Sequence, residues 1–399
     1  MRFQTLFISI LLSISTIPSF AQNEDIVVTT QTDSRIFRVS IESTDASDKS
    51  LLGKAFGAHG AYKVVTANQS EFHFQFTRKS DSAVECAILS GRPARELKRF
   101  VENGNSARNS LLRAADRAVR LTSGEEGFFA SRLVFIGERG GNYREVYTSD
   151  FFFDEIRYHT ADKSQSVNPR WAPDGSKIIY TGYFGSGFPD IFVIDPVTSR
   201  RSQFASYKGT NSGARFSPNG SAVAMVLSAP GNSELFISSS AGGGAKRLTR
   251  NDSIEASPSW KRDGSELVFT SDTAGKPQLY TISTEGGKMK RIATQISNYC
   301  AEPDWNPVDS NKIVFTAVFG EGFQIVLWDF KLNKSIILTR GARDSIEPAW
   351  LNDGRHIVFT RRVGASKQLM VIDSVTRQET AISSKRFGSA SQADAIYLR

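Results

Sequence analysis

Short apolar runs alternate with turn residues over the last two thirds of the chain, and they repeat in phase. Ile178–Thr181, Val223–Val226, Leu267–Thr270, Ile313–Thr316 and Ile357–Thr360 are β-branched or aromatic runs. An aromatic and a turn precede each: Trp171 with Asp174-Gly175, Phe216 with Asn219-Gly220, Trp260 with Asp263-Gly264, Trp305 with Val308-Asp309, and Trp350 with Asp353-Gly354. The aromatics are spaced 45, 44, 45 and 45 residues apart. Asp-Gly and Asn-Gly predict tight hairpins with positive φ at both turn positions. A third run follows in each unit (Asp190–Asp195, Glu234–Ile237, Gln278–Ile282, Gln324–Trp328, Gln368–Asp373). A more polar fourth closes it, as in Lys246–Thr249, Lys290–Ala293 and Ile337–Thr339.

Four short antiparallel strands per roughly 45 residues are the pattern of a propeller blade. A single such sheet cannot bury both its faces, so the blades stack around an axis. One step back from Ser176–Tyr180 is Ser131–Phe135, which carries the strand pattern but has no aromatic strand ahead of it. One step beyond Trp350 is Ala395, inside Asp394–Leu398 at the chain's end. The C-terminal strand is therefore expected to complete the first blade and close a ring of six. The expected fold is mainly β: a six-bladed β-propeller over residues 126–399, preceded by a small α/β domain over 22–125.

The leading region lacks the repeat. Ile26–Val28, Ile36–Ile41, Tyr62–Val65, Phe72–Phe76 and Val84–Leu89 predict strands, with Phe72, Phe74 and Phe76 alternating against His73 and Gln75 as in a half-buried strand running from edge to core. Residues 47–56 predict a short helix ended by Gly57, and two more helices are expected at Arg95–Val101 and Ser106–Leu121. In the last of these Leu111, Leu112, Ala115, Ala118 and Val119 form an apolar stripe, with Arg113, Arg117 and Arg120 on a solvated opposite face.

Residues 1–21 read as a secretory signal: Arg2, an apolar run from Leu6 to Ile17, and Ser19-Phe20-Ala21 at the cleavage position. The run is too short and too interrupted by Pro18 for a membrane span, and no other segment qualifies, so a periplasmic chain starting at Gln22 is expected. The 399 residues carry a formal charge of +8, with Lys and Arg scattered through strands and turns rather than clustered. That distribution describes a solvated surface and not a nucleic-acid footprint. Cys86 and Cys300 are about 200 residues apart in different predicted domains, so no disulfide is expected and Cys86 reads as a small core side chain.

Candidate chemistry is sparse. His59, His73, His159 and His356 stand in separate segments without ligand spacing, and no Gly-x-Ser-x-Gly elbow is present. Gly185-Ser186-Gly187 and Gly242-Gly243-Gly244 do not run from a strand into a helix, so they read as turns and not phosphate cradles. The residues entering the aromatic strands are more informative. If those strands are innermost, Asn168, Asn211, Asp252, Glu255, Glu302, Asp344 and Glu347 ring one mouth of the channel and are candidates for binding a partner. The same carboxylates have a purely structural alternative, capping turns or pairing with Arg215 and Arg343, and a ring of them can hold a cation.

The stretch Ala118–Ile136, from the end of the last helix through Gly124-Glu125-Glu126-Gly127-Phe128-Phe129 to the first blade strand, resembles the domain junction of the TolB family. The repeated Trp-x-Pro-Asp-Gly-Ser-Lys type motif is similar to that family's blades, and the resemblance runs from about residue 106 to the end. It implies a monomeric, non-enzymatic periplasmic component of a Tol–Pal system, without cofactors, that supports envelope integrity, cell division and translocation. It also implies that a Pal-like peptidoglycan-associated lipoprotein docks at the propeller mouth, and that inner-membrane Tol proteins meet the N-terminal domain. The alternative is an exported propeller that binds a small molecule such as a glycan, or hydrolyses it with metal assistance.

Overall fold

The computed structural model describes residues 35–138, 143–185, 187–384 and 386–398. The signal reading of residues 1–21 and the strand expected at Ile26–Val28 lie outside them, as does Ser186.

Among the described residues, the N-terminal region is a five-stranded sheet with two α-helices. Its elements in order are β1 (Phe37–Ser43), α1 (Ala46–Ala58), β2 (Tyr62–Val64), β3 (Phe72–Ser80), β4 (Ala83–Ser90), β5 (Arg95–Asn103) and α2 (Ala107–Ser123). The spatial order is β2-β1-β3-β4-β5, with β1 parallel to both its neighbours and the rest antiparallel. Asp45 caps α1 by accepting the Ser47 and Asp48 amides, and Ser106 caps α2 through Asn109. Phe72, Phe74 and Phe76 all face the core, as their alternation predicts, but β3 is the central strand and does not run from an edge.

Arg95–Val101 is not a helix but part of the edge strand β5. Of its side chains only Phe100 is buried, under α2, where Arg117 lies over its ring. The segment is therefore too polar to show a two-residue period. Its charges pair locally and across to β4, Arg99 with Glu96 and with Glu85 at 2.8 Å, which suits an edge strand protected against further pairing. The arginine face of α2 is likewise engaged rather than merely solvated: Arg117 meets Glu102 at 2.8 Å and Arg113 donates to the Leu398 carbonyl at 2.9 Å.

Six four-stranded antiparallel sheets follow, one per blade. The first blade consists of Arg132–Glu138, Glu145–Asp150 and Arg157–Tyr158, completed on its inner edge by Ser389–Ile396 from the chain's end. The inner strands of the second to sixth blades are Ser166–Trp171, Asn211–Phe216, Glu255–Trp260, Cys300–Trp305 and Ser345–Trp350. Between blades the apolar second and third strands interleave, for example Val134, Ile178 and Ile194 between the first and second blades.

The inner hairpins are not the tight turns expected from Asp-Gly. Gly175, Gly220, Gly264 and Gly354 have positive φ while the residues before them do not. Each glycine amide instead bonds back three residues, as Gly175 does to Ala172 at 2.9 Å. That is a type I turn with glycine at its last position. Pro173 and Pro218 favour it by fixing a negative φ at the second.

The two parts share one apolar core. Phe56 of α1 and Phe74 of β3 connect through Phe128 and Phe129 to Leu133, Val358 and Val371 of the first and sixth blades. Asp116 of α2 is buried and accepts the Phe129 and Ala130 amides at 2.7 and 2.9 Å, which pins the connecting segment. Among the described residues no helix is long and apolar enough to cross a membrane.

Candidate binding site in the propeller channel

The six inner strands share a local distortion. In each the pairing register slips once, and a residue with φ between 52° and 61° lies at the slip: Asn168, Gly213, Ser257, Glu302, Glu347 and Gln392. These positions lie three residues before each aromatic, or before Ala395 in the last strand. A bulge of this kind redirects a side chain that would otherwise lie in the pleat, and a repeated left-handed residue is a cost retained once per blade.

The redirected side chains link neighbouring blades. Glu302 Oε2 accepts the Glu347 amide at 2.9 Å and Glu347 Oε2 accepts the Gln392 amide at 3.2 Å. Gln392 returns an amide bond to Glu347 Oε1 at 3.0 Å, and its Oε1 accepts the Asn168 amide at 2.8 Å. Threonines from the second strands support the relay: Thr270, Thr316 and Thr360 accept the amides of Glu302, Glu347 and Gln392. Gly213 has no side chain to continue it. The ring is thus tied from the fifth blade round to the second and looser at the third and fourth.

These six residues line a cavity of about 190 Å³, together with Arg170, Arg215, Pro303 and Pro348. Two residues further along the same strands lies a charged belt. Arg215 pairs with Asp304 and donates to Ser259 at 2.6 Å. Asp304, Asp394 and Ser259 each accept the aromatic residue's amide in the next blade, Trp350 at 2.7 Å, Trp171 at 2.8 Å and Trp305 at 3.0 Å. Arg170 and Arg215 border both this cavity and a second one of about 330 Å³ at the opposite, tryptophan-rich mouth, so the belt divides the channel. Burial, reinforced by the Glu347 carboxylate, raises the Glu302 pKa, and burial with the Arg215 charge lowers that of Arg170.

Of the residues picked from the sequence, Asn168, Glu302 and Glu347 come together at this mouth, and Asn211, Asp252, Glu255 and Asp344 do not line it. Asn211 is buried and holds the Tyr207 amide and carbonyl, each at 2.8 Å. Asp344 caps the Phe323 amide and pairs with Arg362, both at 3.0 Å, while Asp252 is exposed. Arg215 pairs inside the belt and not with the rim carboxylates. Gln392, Gly213, Ser257 and the two channel arginines were missed. The aromatics' own steps of 45, 44, 45 and 45 residues, with one more of 45, carried from Asn168, reach Gly213, Ser257 and Gln392 and find the rim that residue type alone does not.

Glu255 is buried beside Glu234, whose Oε2 has no partner. Burial, with the Glu234 charge as a smaller contribution, pushes Glu255 up to about 7. Its folded pKa exceeds its unfolded one, so the folded state holds the extra proton and stability falls as pH rises from about 4.5 to about 7. Glu255→Gln supplies a permanent donor facing Glu234. Unfolding midpoints measured at pH 5 and pH 8 are expected to differ less in this variant than in the parent, with the gain at pH 8.

Compared with known families, residues 119–394 match the TolB beta propeller domain. The chain belongs to the TolB β-propeller family. Curated relatives named Tol-Pal system protein TolB, from Bordetella pertussis and Bordetella bronchiseptica, are 31% identical over 174 residues. That stretch is 43% of this chain and 39% of theirs, so the match spans about two fifths of those relatives. In fold, TolB from Acinetobacter baumannii superposes with a TM-score of 0.80 at 19% identity, covering 90% of this chain and 96% of that one. A putative TolB from Agrobacterium tumefaciens gives 0.51 at 15% identity, covering 67% and 98%.

Proposed function

We propose that this TolB-family chain is a non-catalytic, periplasmic protein-binding component of a Tol–Pal-like envelope system. The mouth ringed by Asn168, Glu302, Glu347 and Gln392 receives a peptidoglycan-associated lipoprotein, and the N-terminal domain faces the inner-membrane Tol proteins. In that role it supports envelope integrity, cell division and translocation. The observation that carries the reading is the preformed rim. Its backbone is held by six sheets, four of its left-handed residues are tied by blade-to-blade hydrogen bonds, and its floor is the charged belt. Such a surface recognises a partner with little ordering cost. Its polar groups serve the scaffold, with no nucleophile and base arranged around a reacting atom.

Capture of a Pal-like lipoprotein by the immobilised protein tests this. Glu302→Gln/Glu347→Gln keeps an acceptor for each amide and removes the charge, so folding is expected to persist while capture falls about tenfold or more, as for a central polar contact. Glu302→Lys/Glu347→Lys is expected to abolish capture. A folded double variant that captures the lipoprotein as the parent does overturns the assignment of the mouth.

A further inference from the structure

The four histidines have no ligand spacing in the sequence, yet folding brings two of them together. His59 ends α1, and His356 opens the second strand of the sixth blade, directly opposite Asp373 in the third. All three side chains are fully buried. One ring nitrogen each of His59 and His356 and a carboxylate oxygen of Asp373 lie within 4.8 Å of one another, with His356 Nε2 and Asp373 Oδ2 3.8 Å apart. Neither Nε2 has a hydrogen-bond partner. Two orphaned, buried imidazole nitrogens beside one carboxylate need an explanation.

We propose that His59, His356 and Asp373 form a zinc-binding site that fastens the N-terminal domain to the sixth blade. Two imidazoles and a carboxylate are a zinc donor set. Asp353 Oδ2 accepts from His356 Nδ1 at 2.5 Å, which leaves the lone pair on Nε2 and reproduces the carboxylate–histidine–metal arrangement. Arg355 donates to Asp373 Oδ2, the oxygen that also faces His356 Nε2, at 2.9 Å, and the Val375 amide donates to Oδ1 at 2.8 Å, so the carboxylate is fixed in place. Charge favours a cation: the buried carboxylates of Asp353 and Asp373 have the Arg355 guanidinium beside them, which also pairs with the part-exposed Glu125, and a buried excess of negative charge is costly without a counterion. Phe128 walls the pocket, its ring centre 4.4 Å from that of His356 and 5.7 Å from that of His59.

The geometry is close to that of a site. Zinc–nitrogen bonds of about 2.0 Å place tetrahedral donors about 3.3 Å apart, so the three groups need an inward shift of about an ångström. Gly60 shows how closely the two parts meet here, since a Cβ on it would lie 2.4 Å from Asp373 Oδ2. The competing arrangement is metal-free. The Ala61 amide, 3.4 Å from His59 Nδ1, favours the tautomer with its proton on Nε2. Zinc binding moves that proton to Nδ1 and gives up this long contact.

The test uses the full chain, stripped with chelator, reloaded with zinc and desalted. One zinc per chain is expected, with an X-ray absorption shell of two imidazoles plus oxygen. At free zinc 100 times the Kd the unfolding constant is expected to fall about 100-fold. His59→Gln and His356→Gln are each expected to lose the metal. Substoichiometric zinc in the wild-type protein, a shell without two imidazoles, or retention by either folded variant overturns the site. If a variant does not fold, the wild-type stoichiometry and absorption shell decide alone. An Nε2 proton seen on His59 by nitrogen NMR in zinc-saturated protein identifies the metal-free pair instead, and also overturns it.

Discussion

Deleting the chain from Ser389 onward is expected to abolish cooperative folding of the whole ring rather than leave five sound blades. The inner strand of the first blade comes from this segment, with Ala390 paired to Gly137 and Ile396 to Arg132. Without it Arg132–Glu138 loses its ladder on one side, and buried backbone groups left unpaired cost about 1–3 kcal/mol each. The segment also joins three blades. Gln392 links Glu347 of the sixth to Asn168 of the second, and Asp394 accepts the Trp171 amide. Ala390, Ala393 and Ile396 are buried between sheets. Several such losses together match the whole stability of a typical domain, about 5–15 kcal/mol. Near-UV circular dichroism and amide exchange of the truncated protein are expected to show loss of protection in every inner strand, with partial recovery on adding the missing segment as a peptide. A sharp unfolding transition at the wild-type midpoint contradicts this closure.

The ring and its closure are legible in the sequence because a blade repeats both its composition and its spacing. The rim is legible only through that spacing. Asn168, Glu302 and Glu347 were found because polar side chains happen to occupy the bulged position. Asn211, Asp252, Glu255 and Asp344 have the right chemistry two to five residues too early, where side chains turn back into the blades or out to solvent. A period-two reading of the strand cannot show this, since the bulge shifts which residue looks into the channel. The edge strand β5 is hidden for a different reason. It pairs with β4 on one side alone and its own side chains are mostly charged, so it buries a single aromatic under α2 and has no apolar period. His59 and His356 are nearly 300 residues apart, and only the docking of α1 on the sixth blade unites them.

The two layers of the channel divide the work of holding the ring. At the rim, carboxylate and amide side chains reach forward one blade to lock the bulges, and Glu302 is biased towards its neutral form by burial and Glu347. In the belt, Asp304 and Asp394 use one oxygen on the next blade's amide and offset the Arg170 and Arg215 charges. The belt sets two arginines against two aspartates, so the charge offered to a partner at the mouth comes chiefly from the rim carboxylates.

Asp304→Ala is expected to be among the most damaging single substitutions in the chain. Its carboxylate joins the third, fourth and sixth blades: Oδ1 meets Arg215 and the Ser259 hydroxyl, the latter at 3.0 Å, and Oδ2 accepts the Trp350 amide at 2.7 Å. Removal leaves the Arg215 guanidinium unpaired beside Arg170 in a largely buried belt, and breaking such a pair costs about 3–5 kcal/mol. It also leaves the Trp350 amide without an acceptor, adding about 1–3 kcal/mol. Asp304→Asn separates the two effects. It retains one acceptor for the amide but no charge for Arg215, so its loss is expected to lie between those of the parent and the alanine variant. In Arg215→Met/Asp304→Asn no buried charge is orphaned at this pair, and denaturant unfolding is expected to show the double variant as stable as Asp304→Asn or more so. Additive losses in that cycle refute the role given to the pair, because coupled neighbours in contact interact by about 0.5–3 kcal/mol.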